Sequence, residues 1–137
     1  MRLRAAALAA IATATVIGAL TFSTGTASAS GTPTIAADIA SQSANVRGVS
    51  FTPSGWAYVE IDKGYSGGTK LASTWVQAAG PHWICAGLYC YLDPGGEITW
   101  TYNFPPSLCY TIVVVWAWDQ TTHQYSNITP PTSTQCA

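Results

Sequence analysis

Charge is what this sequence has least of: five Lys and Arg and six Asp and Glu among 137 residues. A nucleic-acid surface needs clustered cations to neutralise phosphate, and anionic membranes attract the same clusters, so neither is an expected partner. Reaction signatures are missing too. There is no G-x-S-x-G, no pair of C-x-x-C knuckles, and no run of oxygen ligands like that of a calcium loop around Asp93 and Glu97. No catalytic residue, metal or cofactor is therefore expected. His82 and His123 fall in predicted loops with no nucleophile beside them. Glu60 and Asp62, on one face of a strand about 7 Å apart, have a separation that would suit a glycosidase, but a solvated strand end accounts for them better. Beyond residue 30 no stretch carries a helical period, and no repeat is visible.

What is there begins with MRLR, then the apolar AAALAAIATATVIGALTF, then the small residues Ala27-Ser28-Ala29. That order is the pattern of a signal peptide over residues 1–29. A retained anchor is the rival, but the run is only weakly apolar and barely reaches the ~18 residues of a span. Cleavage leaves 30–137, the length of one secreted domain. In it Arg47, Lys63 and Lys70 face Asp38, Glu60, Asp62, Asp93, Glu97 and Asp119, a net charge of −3. Asn127-Ile128-Thr129 matches a glycosylation sequon, which the following Pro130 and a bacterial type of leader discount.

Four cysteines in a small exported domain imply two disulfides, with three possible connectivities. If Cys109 opens one strand and the chain returns after the polar stretch Asp119 to Tyr125, the midpoint at Thr122 and His123 brings Cys136 opposite Cys109. Cys85 and Cys90 then pair across the CAGLYC turn. A zinc site is the alternative use of these cysteines, against which the spacing and the oxidising compartment both argue.

The longest apolar run, Cys109 to Asp119 (CYTIVVVWAWD), reads as a central strand, rich in β-branched and aromatic residues and free of Gly and Pro. Alternation gives it one face of Tyr110, Ile112, Val114, Trp116 and Trp118 and another of Cys109, Thr111, Val113, Val115, Ala117 and Asp119. Both faces are largely apolar, so both need covering. Further strands are expected at Thr34 to Ile39, Asn45 to Phe51, Trp56 to Asp62, Leu71 to Ala78 and Glu97 to Tyr102. Trp83 to Tyr91 carries the small disulfide turn, and Ser126 to Thr132 is a Pro-containing edge strand. About seven short strands with turn signals between them make an all-β sandwich of immunoglobulin type.

Val46-Arg47-Gly48-Val49-Ser50-Phe51-Thr52-Pro53-Ser54-Gly55, followed by Ala57-Tyr58-Val59-Glu60-Ile61, resembles the G-x-x-FTPGG-x-V-x-V signature of immunoglobulin-like domains of secreted actinobacterial proteins. Pro94-Gly95-Gly96-Glu97-Ile98-Thr99 is similar to their later Gly-led strand, and Val115-Trp116-Ala117-Trp118-Asp119 with Ser126-Asn127 to their V-x-A-x-D to SN ending. The resemblance spans most of residues 34–132 and implies a non-catalytic binding or spacer module. The chain departs from it in standing alone, in its four cysteines and in its many tryptophans, which makes a spacer role the weaker expectation. It also implies that Val113, Val115 and Ala117, with Ala57, Val59 and Ile61, point inward. Tyr110, Ile112, Val114, Trp116 and Trp118, with Trp56 and Tyr58, then form an outer face. Half-exposed, its four largest rings would offer roughly 300 to 500 Å², the size at which a patch signals an interface. The alternative is a one-residue bulge that flips the register and buries these tryptophans. Trp83 and Trp100 are expected in the core either way.

The expected function is binding of another extracellular protein, or of a second copy, through that face, as an accessory subunit or an inhibitor. A carbohydrate-binding module is the second reading, with tryptophans stacking on sugar rings and the carboxylates or Asn127 accepting hydroxyls. A small hydrolase is the third. Inhibitors of amylases and chromophore apoproteins are also exported β-sandwiches with two disulfides, but the Trp-Arg-Tyr triplet of the amylase inhibitors is absent.

Overall fold

A computed structural model describes residues 31–136; the expected signal peptide lies outside them. Ten strands run in chain order: β1 (Thr34–Ala40), β2 (Ser43–Val49), β3 (Trp56–Lys63), β4 (Thr69–Gln77), β5 (His82–Ala86), β6 (Tyr89–Asp93), β7 (Ile98–Asn103), β8 (Ile112–Asp119), β9 (Gln124–Tyr125) and β10 (Thr132–Ser133). They form a three-stranded sheet, β1-β2-β7, a five-stranded sheet in the order β10-β8-β3-β4 with β9 also on β8, and a separate β5-β6 hairpin. Every pairing is antiparallel.

The two larger sheets enclose the core. Alternation sends Ala57, Val59 and Ile61 of β3 and Val113, Val115 and Ala117 of β8 inward, against Ile35, Ala44, Val46 and Ile98 from the other sheet, all buried. Trp100 packs partly buried against this cluster. Phe51 is threaded beneath it from the loop after β2, and it sits so close that a Cβ on Gly48 would fall 2.7 Å from its ring and from Ile98. Glycine is the residue that lets the two approach.

Both disulfides form as the chain order implied, Cys85–Cys90 across the hairpin and Cys109–Cys136 beside the start of β8. Such bonds persist in oxidising compartments. Among the described residues no helix is long and apolar enough to cross a membrane.

The sequence reading needs several corrections. The central strand begins at Ile112, not Cys109: a 3-10 turn at Pro106–Leu108 and a left-handed Tyr110 (φ 52°) break the extended backbone before it. The expected edge strand Ser126 to Thr132 is interrupted, because Pro130 and Pro131 have no amide to donate. Ser126 and Thr129 instead hold it to β8, each giving its amide to a β8 carbonyl and accepting a β8 amide on its hydroxyl. Trp83 is not in the core. It stands 68 % exposed on the β5-β6 hairpin, which pairs with neither sheet and shows Leu88, Tyr89 and Leu92 to solvent as well.

Candidate functional site

The outer face of the five-stranded sheet is assembled by register. β3 places Tyr58 opposite Trp75 of β4 and opposite Trp118 of β8, and Trp118 in turn faces Tyr125 of β9. Paired residues point to the same side of a sheet, so four strands supply one aromatic surface. Ring centroids lie 5.4 Å apart for Tyr58–Trp75, 5.7 Å for Tyr58–Trp116, 6.2 Å for Trp75–Trp118 and 5.6 Å for Trp116–Tyr125. Neighbouring planes are inclined by 51 to 69°, the edge-to-face and tilted arrangements that the ring quadrupole favours. The face is therefore knobbly rather than flat. His123, in the turn after β8, stacks on Trp118 at 5.5 Å.

Of the residues expected on this face, Tyr58, Trp116 and Trp118 are brought together and half-buried. Trp56 is exposed at the far end of the same face, opposite Gln77 and outside the ring contacts. Ile112 is exposed at the start of β8, opposite Ser133. Tyr110 is exposed but belongs to the preceding turn, not to the sheet. Val114 points outward by alternation and is nevertheless buried, at 2 % exposure. Beside it the register slips at Ile61/Asp62 and the Gly-rich loop after β3 folds back, with the Gly67 amide donating to Asp62 and the Gly64 amide to the Ile112 carbonyl.

That loop changes the reading of the two carboxylates. Asp62 is not solvated: it is fully buried, and its Oδ2 accepts the Trp116 indole N–H at 2.8 Å and the Gly67 amide at 2.8 Å. Its other oxygen has no partner among the described residues. Glu60, opposite Trp116 in register, accepts the Tyr58 hydroxyl. Burial pushes its carboxyl above the ordinary 4.5 and neighbouring Asp62 pushes the same way, outweighing the Tyr58 hydrogen bond and Lys70. Asn127 is committed as well, with its side chain accepting the Ile35 amide at 2.8 Å and donating to the Ile35 carbonyl at 3.0 Å.

Two depressions mark the face. One, of about 190 Å³, is lined by Tyr58, Trp116, Trp118 and Tyr125; the other, of about 370 Å³, continues from Trp116 and Tyr125 between Ser66-Gly67 and Ser126 with Ile128. Trp75, Tyr125 and His123 escaped the sequence reading. Trp75 could have been found by splitting Leu71 to Ala78 into its two faces, whereas Tyr125 and His123 lay in what reads as a polar turn. The larger cavity on the opposite sheet, about 400 Å³, mixes the polar and charged Asp38, Asn45, Arg47, Thr99 and Thr101 with Ala36, Val46 and a single aromatic residue, Trp100. Comparison with known proteins finds no family model that matches the chain and no curated protein that matches it significantly.

Proposed function

We propose that the chain is a secreted, non-enzymatic immunoglobulin-like protein that binds another extracellular protein through the outer face of the five-stranded sheet, as an accessory subunit or an inhibitor. The strand orders β1-β2-β7 and β10-β8-β3-β4 support the immunoglobulin-like reading. One observation carries the functional one: Tyr58, Trp75, Trp116, Trp118 and Tyr125 form a continuous ring network on a face that no other strand of the described residues covers. Large aromatic side chains concentrate at the centres of protein interfaces.

The carbohydrate reading is less well supported. A flat polysaccharide surface calls for coplanar rings, and these are inclined to one another; Asn127, a candidate acceptor of sugar hydroxyls, is engaged with Ile35. The test is the solution mass of the mature protein, taken without denaturant from the culture supernatant of its producer, by light scattering with identification of the components. A mass above one chain is expected, falling to one chain in Trp75→Ser with Tyr125→Ser. A native protein that is already a clean monomer overturns the proposal and sends the search to polysaccharide pull-downs.

A further inference from the structure

We infer that the four-ring depression formed by Tyr58, Trp116, Trp118 and Tyr125 is a cation site that takes a lysine or arginine side chain of the bound protein; this rests on the reading of the face as a protein-binding surface. Strand geometry makes the box. Trp116 and Trp118 are two residues apart on β8, hence about 6.7 Å from one another along the strand, and Tyr58 and Tyr125 come from the strands on either side, about 9.6 Å apart. Both tyrosine rings come within 5.7 Å of Trp116. They leave about 190 Å³, room for one side chain and not for a segment of backbone. The adjoining depression of about 370 Å³ offers the segment that carries it a path past Ser66 and Ile128.

The chemistry of the box favours a cation over an apolar knob. Aromatic faces attract cations through their quadrupole, most strongly where water is displaced. Here two of the four rings are made more electron-rich, because their polar hydrogens are given to carboxylates: the Tyr58 hydroxyl to Glu60 and the Trp116 indole N–H to Asp62. Hydrogen-bonded networks of this kind polarise their members. Asp62 accepts the Trp116 indole N–H at the edge of that ring, and its other oxygen has no hydrogen-bond partner among the described residues, so its carboxylate adds negative potential beside the box. Lys70 of β4 stands opposite Asp62 in register and acts on Glu60, but it does not line the depression. No lysine or arginine of the described chain lines the depression. The domain's excess of carboxylates over basic residues points to the same class of partner.

The experiment titrates the intact mature protein at pH 7.5 with the peptide acetyl-Gly-Gly-Arg-Gly-Gly-amide and with its citrulline counterpart, a neutral isostere, following the indole N–H resonances of Trp116 and Trp118. The arginine peptide is expected to shift them saturably, and the citrulline peptide to bind about tenfold more weakly. Tyr125→Leu, on an exposed two-residue strand whose loss leaves the core intact, abolishes the response; Glu60→Gln weakens the arginine peptide and leaves the citrulline peptide unchanged. Trp75→Ser, outside the box, breaks the native complex but keeps arginine binding, which separates failure of the cation site from failure of the face. Equal binding of the two peptides, no shift at tens of millimolar, or preference for a neutral chitooligosaccharide overturns the inference. So does a native complex that survives Tyr125→Leu and Glu60→Gln while Trp75→Ser destroys it.

Discussion

Asp119 shows what one side chain can hold. At the inner end of β8 it is buried, and its carboxylate accepts the Thr52 amide at 2.6 Å, the Thr52 hydroxyl, and the Thr121 and Thr122 amides at 2.8 and 3.1 Å. Burial alone would raise its pKa; these donors outweigh it and bring the carboxyl below the ordinary 3.8. A group depressed in this way adds stability above its unfolded pKa, which is lost as pH falls through the folded value. Urea unfolding is therefore expected to weaken with acid below about pH 4 in the native protein, and this slope flattens in Asp119→Asn. Asp119→Ala strands the donors and should cost about 3 kcal/mol at neutral pH. Glu60 has the opposite sign. Its raised pKa means a contribution fully present below 4.5 and lost as pH rises through the folded value, so Glu60→Gln should remove that decline from the stability profile.

Among the elements, β8 was legible because its β-branched and aromatic residues run uninterrupted; alternation gave its two faces, and the set that is buried, Val113, Val115 and Ala117, is the one the family resemblance implied. Its start was not, since nothing in the local pattern distinguishes an extended Tyr110 from one in the left-handed region. The β5-β6 hairpin shows the other limit. Composition puts Trp83 in a core, but no third strand comes to cover it, and an isolated hairpin is marginal in water. The Cys85–Cys90 bond is what holds it. Replacing both with Ser should speed amide exchange across residues 82–93 and leave β3 and β8 protected. Removing Cys109–Cys136 should act on the whole domain instead, lowering the unfolding free energy by about 3.5 kcal/mol in the chain-entropy model for a 27-residue separation. Chemical denaturation of the two double variants separates the cases.

At the scale of the molecule, the ring network couples strands far apart in the chain: Tyr58 and Trp75 meet Trp116 and Tyr125 only because β3 lies between β4 and β8. Trp75→Ser with Tyr125→Ser should therefore leave the unfolding midpoint nearly unchanged, both side chains being exposed, while the mass by light scattering falls to one chain if the proposed complex forms through this face. By itself the sequence determined the all-β class and the two disulfide pairs, because strand-forming runs, turn residues and cysteine order are local properties of the chain; alternation sorted β3 and β8 into two faces each but left open which of them points inward. Only the tertiary structure decided that Val114 and Asp62 lie beneath a folded-back loop, that Trp83 stands in solvent, and that Trp75 and Tyr125 complete the aromatic face. Those outcomes depend on strand register and on what packs over each face, and both arise from contacts between segments that no local pattern records.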